Sequence, residues 1–190
     1  VQNEEKKECF LVDPGACPPE MISHIKRAGL TVNAVLLTHG HFDHIMGLDG
    51  VLKEFQVPVY VCKEERELME NAQLNSSLLM LGQAYSFSGA EYIADGDVLF
   101  PAGIRVHVIF TPGHTAGGCC YYLPEEHVLF SGDTLFHASI GRTDLPTGRT
   151  GQLVRSVREK LFVLPDDTKV YPGHMDETTI EYEKKYNPFI

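Results

Sequence analysis

The sequence predicts an α/β (α+β) chain whose mixed sheets are covered by helices. Three observations carry this expectation: βα units fill the first half, period-two segments joined by tight turns fill the middle, and helical spacing returns near the end. At 190 residues, folding can bury roughly 70% of the surface the unfolded chain exposes. Residues 1–190 are therefore expected to form a single domain that needs no disulfide or metal for stability. A metal in such a chain serves function.

Each element has its own signal. Asn3 to Lys6 is a polar turn, and Glu8 to Val12 is a short strand ending at Asp13-Pro14-Gly15, so the opening reads as a hairpin with an almost absent first arm. From Pro18 the pattern turns helical, with Met21, Ile22 and Ile25 on one face and Gly29 as the stop. Val32 to Thr38 is a strand, and Ile45, Leu48, Leu52 and Phe55 recur at helical spacing. Pro58 to Cys62 is a strand, Lys63 to Glu70 a charged surface helix, and Asn71 to Ser88 a loop with one helical turn around Leu78 to Leu81. Ile104 to Phe110 alternates as a strand should, and two more strands flank the Pro124-Glu125-Glu126 turn. A helix over Gly151 to Phe162, a strand over Thr168 to Tyr171 and a helix over Glu177 to Tyr186 complete the chain.

Charge and composition narrow the function. Sixteen Lys and Arg stand against 26 Asp and Glu, a net charge of -10. With no dense basic run, the chain offers no footprint for nucleic acid. Its apolar runs, such as Ala34-Val35-Leu36-Leu37, fall far short of the roughly 20 residues a bilayer-spanning helix needs. No membrane partner is expected. The five cysteines are odd in number and form no CxxC pair; read as reduced thiols, and with no signal-peptide pattern, they suggest the cytoplasm.

Four strands end alike, running from apolar residues through a small or turn residue into a metal-ligand type. They are Val35-Leu36-Leu37-Thr38-His39, Val108-Ile109-Phe110-Thr111-Pro112-Gly113-His114, Val128-Leu129-Phe130-Ser131-Gly132-Asp133 and Val170-Tyr171-Pro172-Gly173-His174. Pro-Gly turns hold the following residue at a fixed angle at the strand tip. The first tip continues as His39-Gly40-His41-Phe42-Asp43-His44, where four ligand-type residues within six positions have no packing rationale. One ion could take His39 and His41, and a second Asp43 and His44. His114 could complete one set and His174 the other, with Asp133 bridging. Five His and two Asp suit two divalent ions such as Zn, and also Fe or Mn. Of the other histidines, His24, His107 and His127 read as surface or packing residues, and His137 is close enough to Asp133 either to line a pocket or to sit outside it.

Taken in order, HGHFDH, TPGHT, SGDT and YPGH resemble the metallo-β-lactamase superfamily. The resemblance implies a four-layer αβ/βα sandwich with metals at one edge. The stretches Gly-Asp133-Thr-Leu-Phe and Gly-Arg142-Thr-Asp-Leu-Pro-Thr-Gly, and the ending Asn187-Pro188-Phe189-Ile190, are similar to small glyoxalase II-like hydrolases. Full glyoxalase II enzymes carry a further C-terminal helical domain that helps bind glutathione, and this sequence ends before it. What the resemblance implies is a dinuclear hydrolase cleaving a small-molecule thioester of hydroxyacylglutathione type. His39, His41 and His114 would hold the ion that polarises the carbonyl, and Asp43 would orient a hydroxide bridging the two ions.

A site of metal ligands with no evident strong acid also favours a thiolate leaving group over a poor nitrogen one. Arg142 is a candidate substrate-binding residue, able to hold a carboxylate, with a local salt bridge to Asp144 as the competing expectation; Tyr85 is a further candidate for the cleft. The alternative function is a mononuclear iron persulfide dioxygenase of the same superfamily. The full set of ligands for a second ion weighs against it, as it does against a non-catalytic module.

Overall fold

Two sheets pack face to face with helices on both outer surfaces, as residues 1–190 of a computed structural model show. In chain order the first half contains β1 (Gln2–Asn3), β2 (Glu8–Val12), α1 (Pro19–Arg27), β3 (Thr31–Leu36), α2 (Phe42–Ile45), α3 (Leu48–Phe55), β4 (Val59–Cys62), α4 (Arg66–Glu70), α5 (Ser77–Leu81) and β5 (Glu91–Ile93). The second half contains β6 (Val98–Leu99), β7 (Val106–Phe110), β8 (Cys119–Leu123), β9 (Val128–Gly132), β10 (Leu135–Phe136), β11 (Ser139–Ile140), α6 (Thr150–Ser156), β12 (Lys169–Pro172), β13 (Thr178–Thr179) and α7 (Ile180–Tyr186).

The first sheet runs β1-β2-β3-β4-β5, with β2 through β5 parallel and β1 antiparallel at its edge. The second runs β13-β12-β9-β8-β7-β6, with a parallel β12–β9 pair inside antiparallel neighbours. Strand β3 shows why the layers form. Ala34 and Leu36 face the other sheet, against Val108 and Tyr121, whereas Val35 and Leu37 face Ile45, Leu48 and Val51 of the covering helices. A strand buried on both faces carries an apolar run rather than alternation. On the far side Leu129 and Val170 pack against Val157, Leu161 and Ile180. The sheets are also tied by the Tyr121 hydroxyl, which donates to the Leu37 carbonyl at 2.7 Å.

Several boundaries differ from the periodicity. The helix expected from Ile45 onward is divided into α2 and α3 at Met46-Gly47, because the Gly47 amide donates to the Pro14 carbonyl at 3.0 Å instead of to the carbonyl four residues back, in an approach too close for any side chain at that position. The charged Lys63 to Glu70 helix is not wholly a surface element: Glu65, Leu68 and Met69 are buried. The final helix begins at Ile180, with Thr179 capping it by accepting from the Tyr182 amide; the residues before it form β13, paired to β12. The helix from Thr150 widens into a π turn over Val157–Leu161. No helix is long and apolar enough to cross a membrane.

Direction of the strands places the site. Strands β7 and β9 are each antiparallel to β8, and β12 is parallel to β9, so all three end at one edge of the second sheet. The loop after β3 reaches that edge from the first sheet, its Thr38 carbonyl accepting from the Cys119 amide at 2.9 Å. Gly113 closes the turn before His114 with φ 140, and a Cβ there would overlap the Leu153 backbone of α6. Gly113→Ala is therefore expected to lower the unfolding free energy by about 2 kcal/mol or more, since both the backbone conformation and the close approach forbid it. Chemical denaturation checks this, and a loss below 0.5 kcal/mol, taken as roughly the scale of ordinary surface substitutions, would contradict it.

Candidate metal centre

His39 and His41 follow β3, Asp43 and His44 open α2, His114 follows β7, Asp133 follows β9 and His174 follows β12. All seven residues expected from the four strand tips are brought together. One atom each from His39, His41 and His114 lies within 4.8 Å of the others, and so does one each from Asp43, His44 and His174. Asp133 stands between the two groups. Its Oδ2 is 3.4 Å from His114 Nε2 and 3.7 Å from His174 Nε2, and its Oδ1 is 3.4 Å from His44 Nε2. On the outer side, Asp43 Oδ2 lies 3.2 Å from His174 Nε2 and 3.9 Å from His44 Nε2.

Hydrogen bonds fix which nitrogens are left over. His114 Nδ1 donates to the Arg142 carbonyl at 2.7 Å, leaving Nε2 to accept from His41 Nδ1 at 2.9 Å; its lone pair and Asp133 Oδ2, 3.4 Å apart, are then both acceptors with no proton between them. His44 Nδ1 donates to Asp13 Oδ2 at 2.9 Å. His39, His41, His44 and His114 are buried, and His39 Nε2, His41 Nε2 and Asp133 Oδ1 are buried with no hydrogen-bond partner. Buried polar atoms without partners are costly, on the order of 1–3 kcal/mol each. Imidazole nitrogens and carboxylate oxygens gathered in this way are a donor set for divalent cations.

Protonation separates the two groups. Burial and the neighbouring imidazoles hold His39 well below the usual imidazole value, and burial and His114 hold His41 down to about 3. His114 is lowered by burial, in part offset by Asp133. Burial also opposes a charge on His44, but Asp13 and Asp133 outweigh it and raise that imidazole well above its usual value. The carboxyl of Asp133, despite burial, is lowered by His44, His114 and His174.

Two residues that hold the cluster's loops had no signal in the sequence pattern. Asp13, in the left-handed region with φ 45, accepts from the Thr38 amide at 2.7 Å and the Thr38 hydroxyl at 2.6 Å as well as from His44. It orients a ligand-type imidazole, as carboxylates behind metal-binding histidines do. Glu65 is fully buried and accepts from the Gly40 amide at 2.8 Å and the Gly117 amide at 2.6 Å. It pins the His39–His41 loop to the loop that carries His114.

Other candidates are placed outside the cluster. Arg142 lines the cleft beside it, while its guanidinium makes a two-pronged pair with Asp144, both contacts at 2.7 Å. His137 packs against the Tyr182 ring instead of facing the cluster, and His127 pairs with Asp167. Tyr85 is turned away from the cleft, its hydroxyl donating to the Ile45 carbonyl at 3.1 Å.

The family model of the metallo-beta-lactamase superfamily matches residues 1–174. Among curated relatives, the probable metallo-hydrolase YqgX of Bacillus subtilis is 39% identical over 96% of this chain and 87% of its own length. The hydroxyacylglutathione hydrolase GloC of Haemophilus influenzae is 33% identical over 98% of this chain and 89% of its own. Among solved structures, the BLEG-1 B3 metallo-beta-lactamase superposes with a TM-score of 0.93 at 40% identity, over all of this chain and 91% of the other. A di-iron-bound form of TTHA1623 superposes at 0.84 with 35% identity, over 94% of this chain and 88% of the other. With the layered fold, the convergent ligand-type residues and these matches agreeing, the chain belongs to the metallo-β-lactamase superfamily of metallo-hydrolases.

Proposed function

We propose that the protein is a dinuclear metal-dependent thioester hydrolase acting on a small hydroxyacylglutathione-type substrate. The observation that carries this reading is the second ligand group, Asp43, His44 and His174, standing beside His39, His41 and His114 with Asp133 between them. A mononuclear oxygenase would have no use for that second group, and so the dioxygenase alternative is the weaker one. Similarity to GloC supports the thioester. Similarity to BLEG-1 makes β-lactam hydrolysis the competing reading. Zinc suits the nitrogen and oxygen donors, and the di-iron form of TTHA1623 makes iron the rival metal. Five unpaired cysteines fit a cytoplasmic setting.

Bound divalent ions would supply a water acidified toward neutral pH and would polarise the acyl carbonyl. The chain's own residues do the positioning. Asp43, partly exposed to the cleft, is placed to accept a hydrogen bond from the attacking water and so orient it. His114 is held in one tautomer by the Arg142 carbonyl and His44 by Asp13. Overall, the water oxygen bonds to the acyl carbon, the carbon–sulfur bond breaks, and the products are a carboxylate, a thiol and one proton. A thiolate leaves readily because its parent acid has a pKa of about 8.5, so the chain needs no strong general acid.

The direct test is turnover of S-lactoylglutathione by the zinc- or iron-loaded chain, followed by thiol release. Hydrolysis is expected, with Asp43→Asn lowering kcat at least about a hundredfold. Opening of a β-lactam ring without thioester cleavage, or oxygen uptake with glutathione persulfide in its place, would overturn the reading. For Arg142 to hold a substrate carboxylate, it must exchange Asp144 for it. Arg142→Ala is expected to raise KM by about 1–3 kcal/mol of lost charge-assisted hydrogen bonding with kcat little changed. An unchanged KM would leave Arg142 as the partner of Asp144 alone.

Acid should separate the ions. Ligand imidazoles must be unprotonated to bind metal. The raised value at His44 lets protons compete for the Asp43–His44–His174 group first as pH falls. The lowered values at His39, His41 and His114 protect the other group to lower pH. Metal content measured after equilibration across falling pH is expected to drop in two steps, with activity following the first. Loss of both ions in one step, or a first step that tracks the His39–His41–His114 group, would contradict this.

A further inference from the structure

We infer that the substrate carries an uncharged apolar group beside its scissile carbonyl, seated on a methionine-rich wall of the cleft. This rests on the thioesterase reading and names the substrate class for the same site. The cleft, about 380 Å³, has part of the ligand cluster as its floor and Phe42, Met80, Phe136, Ile140, Leu145 and Met175 as its walls. Met80 and Met175 are 56% and 67% exposed, so the two most flexible side chains of the wall are also the least covered. Met175 has φ 68, a conformation that disfavours any side chain, and there it presents its thioether to the cleft directly after His174.

Charge in the cleft points the same way. Arg142 is the one cation of the lining, and Asp144 already occupies it. The carboxylates of the floor, Asp43 and Asp133, are committed to the ions of the proposed centre. Away from that floor a charged group meets only the paired Arg142, whereas an apolar group meets six apolar side chains. Methionine adapts its shape to varied apolar ligands, and burial of each methylene is worth about a fourfold gain in binding or rate at most. A clefted apolar wall with few convergent polar groups is the usual form of a small-molecule site. The apolar group could belong to the acyl or to the thiol portion.

The test uses the metal-loaded full chain with two substrate series: S-acyl glutathiones from acetyl to hexanoyl, and acetyl thioesters of alkyl thiols of rising length. In at least one series kcat/KM is expected to rise about two- to fourfold per methylene. The series that rises identifies which portion lies on the wall. Met80→Ala and Met175→Gly should flatten the slope, the latter without disturbing its backbone, while Leu79→Ala, exposed on α5 outside the cleft, should leave it intact. Independently of turnover, hexanoate should shift the labelled methyl resonances of Met80 and Met175 but not that of Met21, and lactate should shift neither. Methyl shifts without hydrolysis of any thioester would support the wall and overturn the thioesterase reading. Flat series with unmoved methyls would overturn the inference, as would a dimer dissociated by Met80→Ala, which would assign the wall to a second copy.

Discussion

Five imidazoles and two carboxylates crowd one edge of the two sheets, four of the imidazoles buried, and this crowding is the constraint on which the rest of the architecture turns. Left to themselves, His39 Nε2 and His41 Nε2 are buried polar atoms without partners, an arrangement a packed protein otherwise avoids. Divalent cations bound there would remove that cost and supply the cluster's chemistry. The scaffold's part is to hold the donors in place before any ion arrives. It does so with parallel strand ends, with turns at Gly113 and Gly173, and with two carboxylates, Asp13 within the first sheet and the buried Glu65 across to the second.

Asp13 and Glu65 show how that support works. Asp13 uses both oxygens, one on the Thr38 amide and one shared by the Thr38 hydroxyl and His44, so the end of β3 and the start of α2 are set by one side chain. Glu65 uses both of its oxygens on backbone amides of two ligand loops. Burial raises its carboxyl, and the amide donors limit that rise. Their work is geometric: they fix where imidazoles point, and the ions and the substrate then find a rigid site.

Much of this was legible in the chain itself. The dense His39-to-His44 run and the Pro-Gly-His tips announce a metal site because their residue types serve no packing purpose, and the two-sided apolar run of β3 announces a strand between layers. Asp13 reads only as a turn residue before Pro14, since its partners lie 25 and 31 positions away. Glu65 hides in a charged stretch because its partners are backbone amides, which sequence does not distinguish. The break between α2 and α3 depends on how closely Gly47 approaches the Pro14–Ala16 loop, a tertiary contact invisible to periodicity. The Asn71 to Ser88 segment reads as a loop with one turn, and α5 is that turn. Its apolar residues face solvent and the cleft instead of the core, so helical spacing has nothing to report.

The fold accommodates more than one chemistry, as the names of its relatives indicate. Here the surroundings of the cluster divide into a polar floor and an apolar wall. The polar floor has donors enough for two ions. The most direct measurement is anomalous X-ray diffraction from crystals of the zinc- or iron-saturated chain. Two peaks are expected, one among His39, His41 and His114 and one among Asp43, His44 and His174, with Asp133 touching both. A single peak at full saturation would contradict it.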